Sequence, residues 1–151
     1  MSIEVSELRI TKLREYLMNI ISTLNEKYKQ INVNFLSNDV NNYSLDKIPT
    51  EKGANNWILG DILQTEVYSF RSRMNYSADT ISNIKNIGFY EDFEKIIKLQ
   101  DDYNILPDIS GIESIKCLNC GTMNNAGTNT AEFDIQIQIQ YREVLTQTQS
   151  I

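Results

Sequence analysis

The sequence predicts a single-domain α+β protein in which a mixed, mainly antiparallel β-sheet is flanked by helices. Strict alternation of apolar and polar residues from Ala131 to Arg142 predicts a long strand. Apolar residues at three-and-four spacing over residues 4–29 predict a long amphipathic N-terminal helix. The length of 151 residues suits one domain with a substantial core. We therefore assign residues 1–151 to one domain and expect residues 146–151 to form a frayed, disordered tail.

The alternating stretch is the strongest strand signal, because successive side chains of a strand point to opposite sheet faces. Its apolar face consists of Phe133, Ile135, Ile137, Ile139 and Tyr141. Burial of each side chain is worth roughly 1.5–3 kcal/mol before the entropy cost. Its other face carries the neutral residues Gln136, Gln138 and Gln140, and such a strand at an exposed edge promotes aggregation. We expect the strand to lie centrally in the sheet or to be covered by another subunit, which motivates a hypothesis of homo-oligomerisation.

Shorter elements are predicted between the first helix and the middle of the chain. Residues 31–35 and the stretch from Tyr43 to Pro49 predict two short strands separated by turn-forming residues. The polar run from Thr50 to Asn56 predicts a loop, after which Trp57 is expected to be buried. Enrichment in β-branched and aromatic residues predicts a further strand over residues 61–74.

Two consecutive helices and a hairpin are predicted in the second half. Ser77 suits the N-cap of the first helix, and Gly88 suits its end, because glycine readily adopts the left-handed conformation found there. The predicted buried side of this helix consists of Ile81, Ile84 and Ile87. A second helix is predicted to begin near Phe89. Residues 112–120 then predict a strand, and residues 121–130 predict a flexible connection that closes a long C-terminal hairpin.

The composition argues against several classes of function. The chain has 14 Lys and Arg against 20 Asp and Glu, a formal net charge of −6, whereas duplex binding requires a basic surface. The sequence contains no histidine, which is the usual general base and the commonest metal ligand. No apolar run approaches the roughly 18–20 residues of a membrane span, and the acidic N-terminus predicts no signal peptide. We expect no enzymatic activity and no cofactor.

The cysteines Cys117 and Cys120 form a Cys-Leu-Asn-Cys motif. Tetrahedral zinc needs four ligands, and the sequence offers neither a second cysteine pair nor a histidine. On a strand, residues three apart point to opposite faces, which suits neither chelation nor a disulfide. We predict a structural role for both residues and no metal site, with a zinc site shared between subunits as the remaining alternative.

The arginines Arg71 and Arg73 share one face of a predicted strand. Such a pair can clamp a phosphate group, but no Gly-rich phosphate loop accompanies it. A solvated or interface-facing pair is the preferred interpretation.

An ordered set of segments between about Ile31 and Tyr141 resembles a known family. The segments are Ile31 to Leu36, Asn42 to Leu45 with Ile48-Pro49, Tyr68 to Arg73, Asn83-Ile84 with Gly88 to Glu91, Leu106 to Asp108, and the alternating strand. The family comprises small phage proteins from low-GC Gram-positive hosts, often labelled minor capsid protein and similar to the tail terminators of long-tailed phages. The Cys-Leu-Asn-Cys pair departs from the family pattern.

This resemblance implies a structural virion protein. Tail terminators form a hexameric ring on the last ring of the tail tube, stop its polymerisation and present a surface to the head connector. The implied partners are therefore further copies of the chain, the tail tube protein, the head–tail connector protein and, in a contractile tail, the sheath. No membrane and no specific nucleic-acid partner is implied. The implied location is the head-proximal end of the tail, in a phage or a phage-tail-like bacteriocin made in the bacterial cytoplasm.

Exposure and loop chemistry select the candidate interface residues. They are Asn38, Asn41, Arg71, Arg73, Met123, Asn124, Asn125, Gln136 and Gln138. The runner-up within virion proteins is a head–tail connector or completion protein, which also forms rings. Two other classes are a regulatory module that binds a protein through the first helix and a small enzyme that uses carboxylates.

Overall fold

The computed structural model describes residues 2–25, 28, 30–49, 61–76, 80–126 and 129–144. Within these residues the chain forms two helices and six strands. They are α1 (Ser2–Leu24), β1 (Gln30–Val33), β2 (Asn42–Ile48), β3 (Asp61–Asn75), α2 (Thr80–Asp102), β4 (Ile112–Cys117), β5 (Thr122–Ala126) and β6 (Thr130–Val144). This arrangement confirms the predicted α+β class. The predictions for Trp57 and for residues 146–151 lie outside the described part of the chain.

The described strands form one sheet in the order β1-β2-β3-β6-β4, with β5 paired to β6 beside β4. β1 and β2 are parallel, and the other neighbours are antiparallel. β3 and β6 pair along their whole length, from Asp61 opposite Val144 to Asn75 opposite Thr130. The alternating strand is therefore central, one of its two predicted positions. Because its Gln residues lie inside the sheet, they give no reason of their own to expect another subunit.

The core lies between one face of the sheet and the two helices. The five apolar side chains of β6 are all buried there, as their alternation predicts. The apolar stripe of α1 contributes Leu13, Leu17, Ile20 and Ile21 to the same core. Phe70 of β3 stacks on Tyr43 and on Phe93, with ring centroids 5.4 and 5.3 Å apart. Aromatic packing thereby joins β2, β3 and α2 at the centre of the molecule.

The prediction of two consecutive helices that meet at Gly88 is wrong. A single helix, α2, continues through this position. Its buried stripe consists of Asn86, Tyr90, Phe93 and Ile97, which follow the spacing of successive helical turns. Ile84 and Ile87 lie off this stripe and are 60% and 58% exposed, so their predicted burial is wrong. The larger aromatic residues set the rotation of the helix on the sheet.

The region between β4 and β6 is also more ordered than predicted. Thr122–Ala126 forms β5, which pairs with the first half of β6, whereas a flexible connection was the expectation. β4 ends at Cys117, so it covers only the second half of β6. β5 supplies hydrogen-bonding partners for the half that β4 leaves open. In the described part of the chain, neither helix is long and apolar enough to cross a membrane.

Candidate functional site

The sheet face opposite the helices carries most of the predicted interface residues. Arg71 stands between Asp46 and Glu132, and its Nη1 lies 3.6 Å from the Glu132 carboxylate. Arg73 Nη2 lies 4.0 Å from the other oxygen of Glu132. Both arginines are thus paired with carboxylates on their own sheet. This charge balance weakens the phosphate-clamp interpretation, since a phosphate would have to displace acidic neighbours.

The loop before β2 joins the same end of this face. Arg73 Nε donates a hydrogen bond to the Ser37 carbonyl at 3.1 Å, and the Asn41 N–H donates to the Arg73 carbonyl at 2.8 Å. Asn41 adopts φ of 63°, a left-handed conformation that asparagine tolerates. Asn38 is exposed in the loop between these contacts. The structure therefore brings Asn38, Asn41 and Arg73 together, as one patch of the surface.

β5 contributes to this patch from the other side of β6. Asn124 Nδ2 donates to Asp134 at 3.4 Å, and the other oxygen of Asp134 accepts from Ser69 Oγ at 2.9 Å. Asp134 lies opposite Arg71 in the ladder between β3 and β6. Met123 is exposed, and the side chain of Asn125 lies outside the described part. We call Asn38, Arg71, Arg73, Asp134 and Asn124 the open-face cluster. The side chain of Asn41 instead accepts a hydrogen bond from Asn25, which follows α1, at 3.1 Å.

The two predicted Gln residues extend this face along β6. Gln136 lies opposite Ser69 and Gln138 lies opposite Val67 of β3. On the other side, Gln138 faces Lys116 of β4. Both side chains are half-buried, and they form a neutral strip beside the charged cluster.

A buried carboxylate that sequence reasoning missed lies on the helix-covered face. Glu66 accepts hydrogen bonds from the hydroxyls of Tyr68 and Tyr141, at 2.7 and 3.0 Å. Lys47 Nζ donates to it at 3.3 Å, and Arg9 of α1 forms an ion pair with it. Arg9 also lies 4.6 Å from the centre of the Tyr141 ring. No sequence motif marks this group, because its members come from α1, β2, β3 and β6.

Electrostatics keep this carboxyl group ionised. Burial alone would raise the pKa of Glu66, but the hydrogen bonds from Tyr68 and Arg9 and the charges of Arg9 and Lys47 outweigh it. The pKa of Glu66 therefore lies below its ordinary value. With its oxygens occupied by protein donors, Glu66 holds α1 on the sheet and is poorly placed to act as a general base.

At both sheet edges a hydrogen bond joins a helix side chain to the strand backbone. At β1, Arg14 Nε donates to the Ile31 carbonyl at 2.6 Å. At β4, the Ile115 N–H donates to Asp101 Oδ1 at 3.0 Å. These contacts occupy backbone groups at edge strands, where free groups would promote unspecific pairing. A groove of about 770 Å³ lies beside Ile115, between β4 and α2.

The two cysteines are not joined by a disulfide. Cys117 lies opposite Ile137 in the ladder, beside the groove at α2. Burial, with a smaller effect of Glu94, raises the pKa of the Cys117 thiol to about 12, which disfavours the thiolate. Cys120 is exposed after β4, and both cysteines carry free thiols. Among the described residues, no cluster of three or more His, Cys, Asp and Glu is arranged to hold a metal ion.

Comparison with known proteins adds no relative: no family model matches the sequence, and no curated protein matches it significantly.

Proposed function

We propose that the chain is a non-enzymatic structural subunit of a phage tail, which assembles into a ring at the end of the tail tube and stops tube polymerisation. The resemblance described above suggests this function. The feature of the molecule that supports it best is the presence of two unlike sheet edges on opposite sides of the subunit. A closed ring needs such a pair, because each copy contacts one neighbour through one surface and the other neighbour through a different one.

Exposed apolar side chains occur at both edges. Val33 and Phe35 lie at the end of β1, and Phe35 is 61% exposed. Leu118 follows β4 and Met123 lies on β5, and both are more than two-fifths exposed. A head-to-tail contact between copies would remove apolar surface from water at each junction, which favours association.

The remaining surfaces are then available to the tail tube and the head connector. The open-face cluster is the proposed contact with the tube end, because its paired charges and amides can exchange partners with a polar protein surface. A ring whose two faces differ ends polymerisation when its second face cannot accept another tube subunit. The mechanism requires surface complementarity and no chemical step.

The test is a deletion of this gene in the phage or prophage, followed by electron microscopy of the particles. We expect overlong or headless tails, and normal tails upon complementation with the wild-type gene. Lys85→Ala, which removes an exposed charge from the first half of α2 and away from the groove beside β4, should complement as well as wild type. Normal tails with attached heads in the deletion would contradict the proposal.

A labelled copy of the chain separates the two virion functions. Label at the end of the tail tube supports a terminator. Label at the portal side of the neck would instead assign the chain to the head–tail connector class.

A further inference from the structure

We infer that β1 of one copy pairs with β4 of the next copy, so that the sheets of neighbouring subunits join edge to edge in the ring. This inference rests on the proposed function. It adds the strand register of the contact and the two charged residues that control it.

The strand directions allow this pairing. β1 is parallel to β2, and three antiparallel steps lead from β2 through β3 and β6 to β4. β1 and β4 therefore run in opposite directions within one copy. A neighbour that continues the sheet with the same faces presents its β1 antiparallel to β4, which is the more stable type of strand pairing.

The backbone groups that face outward are the ones this pairing needs. The Asn34 N–H donates to Leu45 of β2, so by alternation the backbone of Ile31 points away from β2. The Leu118 N–H donates to Gln136 of β6, so the backbone of Ile115 points away from β6. In agreement with this, the outward-facing Ile31 carbonyl accepts a hydrogen bond from Arg14. The outward-facing Ile115 N–H donates one to Asp101.

A register with Ile31 opposite Ile115 pairs the outward-facing backbone groups of these two residues. Outward-facing residues in antiparallel strands form a hydrogen-bonded pair, in which each N–H meets the carbonyl of the other residue. Both isoleucine side chains are fully buried on the helix-covered face, so the two faces continue across the junction. The adjoining pairs on the open face are Gln30 with Lys116 and Asn32 with Ser114, which are polar on both sides.

The two capping side chains have opposite charge. Pairing of the strands frees Arg14 of one copy and Asp101 of its neighbour, and both lie on helices next to the junction. They can then form an ion pair across the interface. In the free subunit the same residues occupy the edge backbone and hinder pairing with unrelated strands. Charge complementarity thus selects a second copy of this chain as the occupant of each edge.

The test uses charge reversal at each edge. Arg14→Asp places two acidic residues at the junction, and Asp101→Arg places two basic residues there. Each variant alone should associate about tenfold or more weakly than wild type, because like charges oppose each other at a contact. An equal mixture should recover assembly, because each junction in an alternating ring then joins opposite charges. Native mass spectrometry should detect rings with equal numbers of the two variants.

Matched measurements make each outcome decisive. Circular dichroism and urea unfolding establish that both variants fold. Lys85→Glu serves as an exposed charge reversal in the first half of α2, away from the groove beside β4, and should assemble like wild type. Unimpaired assembly of both single variants, or a mixture that remains monomeric, would refute the inferred register. A wild-type chain that stays monomeric at all concentrations would also refute it. If alternating rings form but fail to stop tube growth, the interface stands and the proposed function fails.

Discussion

Arg9 of α1 donates two hydrogen bonds to one carboxylate oxygen of Glu66 on β3, from Nε at 3.2 Å and from Nη2 at 3.0 Å. The two residues are 57 positions apart and both are largely buried. The contact ties the N-terminal helix to the middle of the sheet. The stability of the fold also depends on this contact, because a buried carboxylate that lacks hydrogen-bond donors costs free energy.

Removal of the arginine should therefore destabilise the fold. We expect Arg9→Ala to lower the free energy of unfolding by about 2–4 kcal/mol, since Glu66 stays buried with fewer donors and the packing on Tyr141 is lost. Urea unfolding monitored by circular dichroism measures the change. Lys98→Ala, which breaks an exposed pair on α2, should cost less than about 0.5 kcal/mol. Equal effects of the two substitutions would contradict the role assigned to Arg9.

The lowered pKa of Glu66 predicts a dependence of stability on pH. The pKa of this carboxyl group is lower in the folded chain than its ordinary value of 4.5. The stabilisation is therefore fully present above the unfolded pKa and is lost as the pH falls through the folded pKa. Glu66→Gln removes this contribution, so wild type and variant should converge in unfolding free energy on acidification. Urea titrations between about pH 7 and about pH 3 test this convergence. A difference that stays constant over this range would show that folding does not shift the pKa of Glu66.

The sequence predicts β6 and the stripe of α1 because a single local period determines which side chains are buried. It does not predict the Glu66 group, whose donors are brought together only by the order of the strands. The predicted helix end at Gly88 is wrong for a related reason, because tertiary packing decides where the helix ends. Glycine permits a left-handed conformation but does not require it, and the packing of Tyr90 and Phe93 carries the helix through that position. Among the interface candidates, sequence reasoning selected polar residues of loops and of outward strand faces but could not show that Asn41, Arg73 and Asn124 lie at one end of the sheet.

Gly88 itself offers a stabilising substitution. A Cβ atom there would have no heavy atom within 4 Å beyond its immediate surroundings in the helix, so Gly88→Ala can be accommodated without strain. We expect it to raise the free energy of unfolding by about 0.5–1 kcal/mol, because alanine loses less conformational entropy in a helix.

The contrasting control is Gly111→Ala. Gly111 has a φ of 78°, and its Cβ would collide with the carbonyl oxygen of Arg142. This substitution should lower the free energy of unfolding by about 1–3 kcal/mol. Thermal unfolding should show a higher melting temperature for Gly88→Ala and a lower one for Gly111→Ala. A destabilising effect of Gly88→Ala would indicate that the helix is broken at this position.

Neighbouring residues of β6 should respond in opposite ways to an added charge, because their side chains lie on different faces. Ile137 is fully buried against the helices, so Ile137→Asp places an unpaired carboxylate in the core. The cost, about 3–5 kcal/mol or more, should abolish soluble folding. Gln138 is half-buried on the open face, where Gln138→Arg can extend its charged end into water. We expect this variant to fold with a change of less than about 1 kcal/mol. Soluble yield and urea midpoints compare the two, and similar behaviour of both variants would mean that the faces of β6 are misassigned.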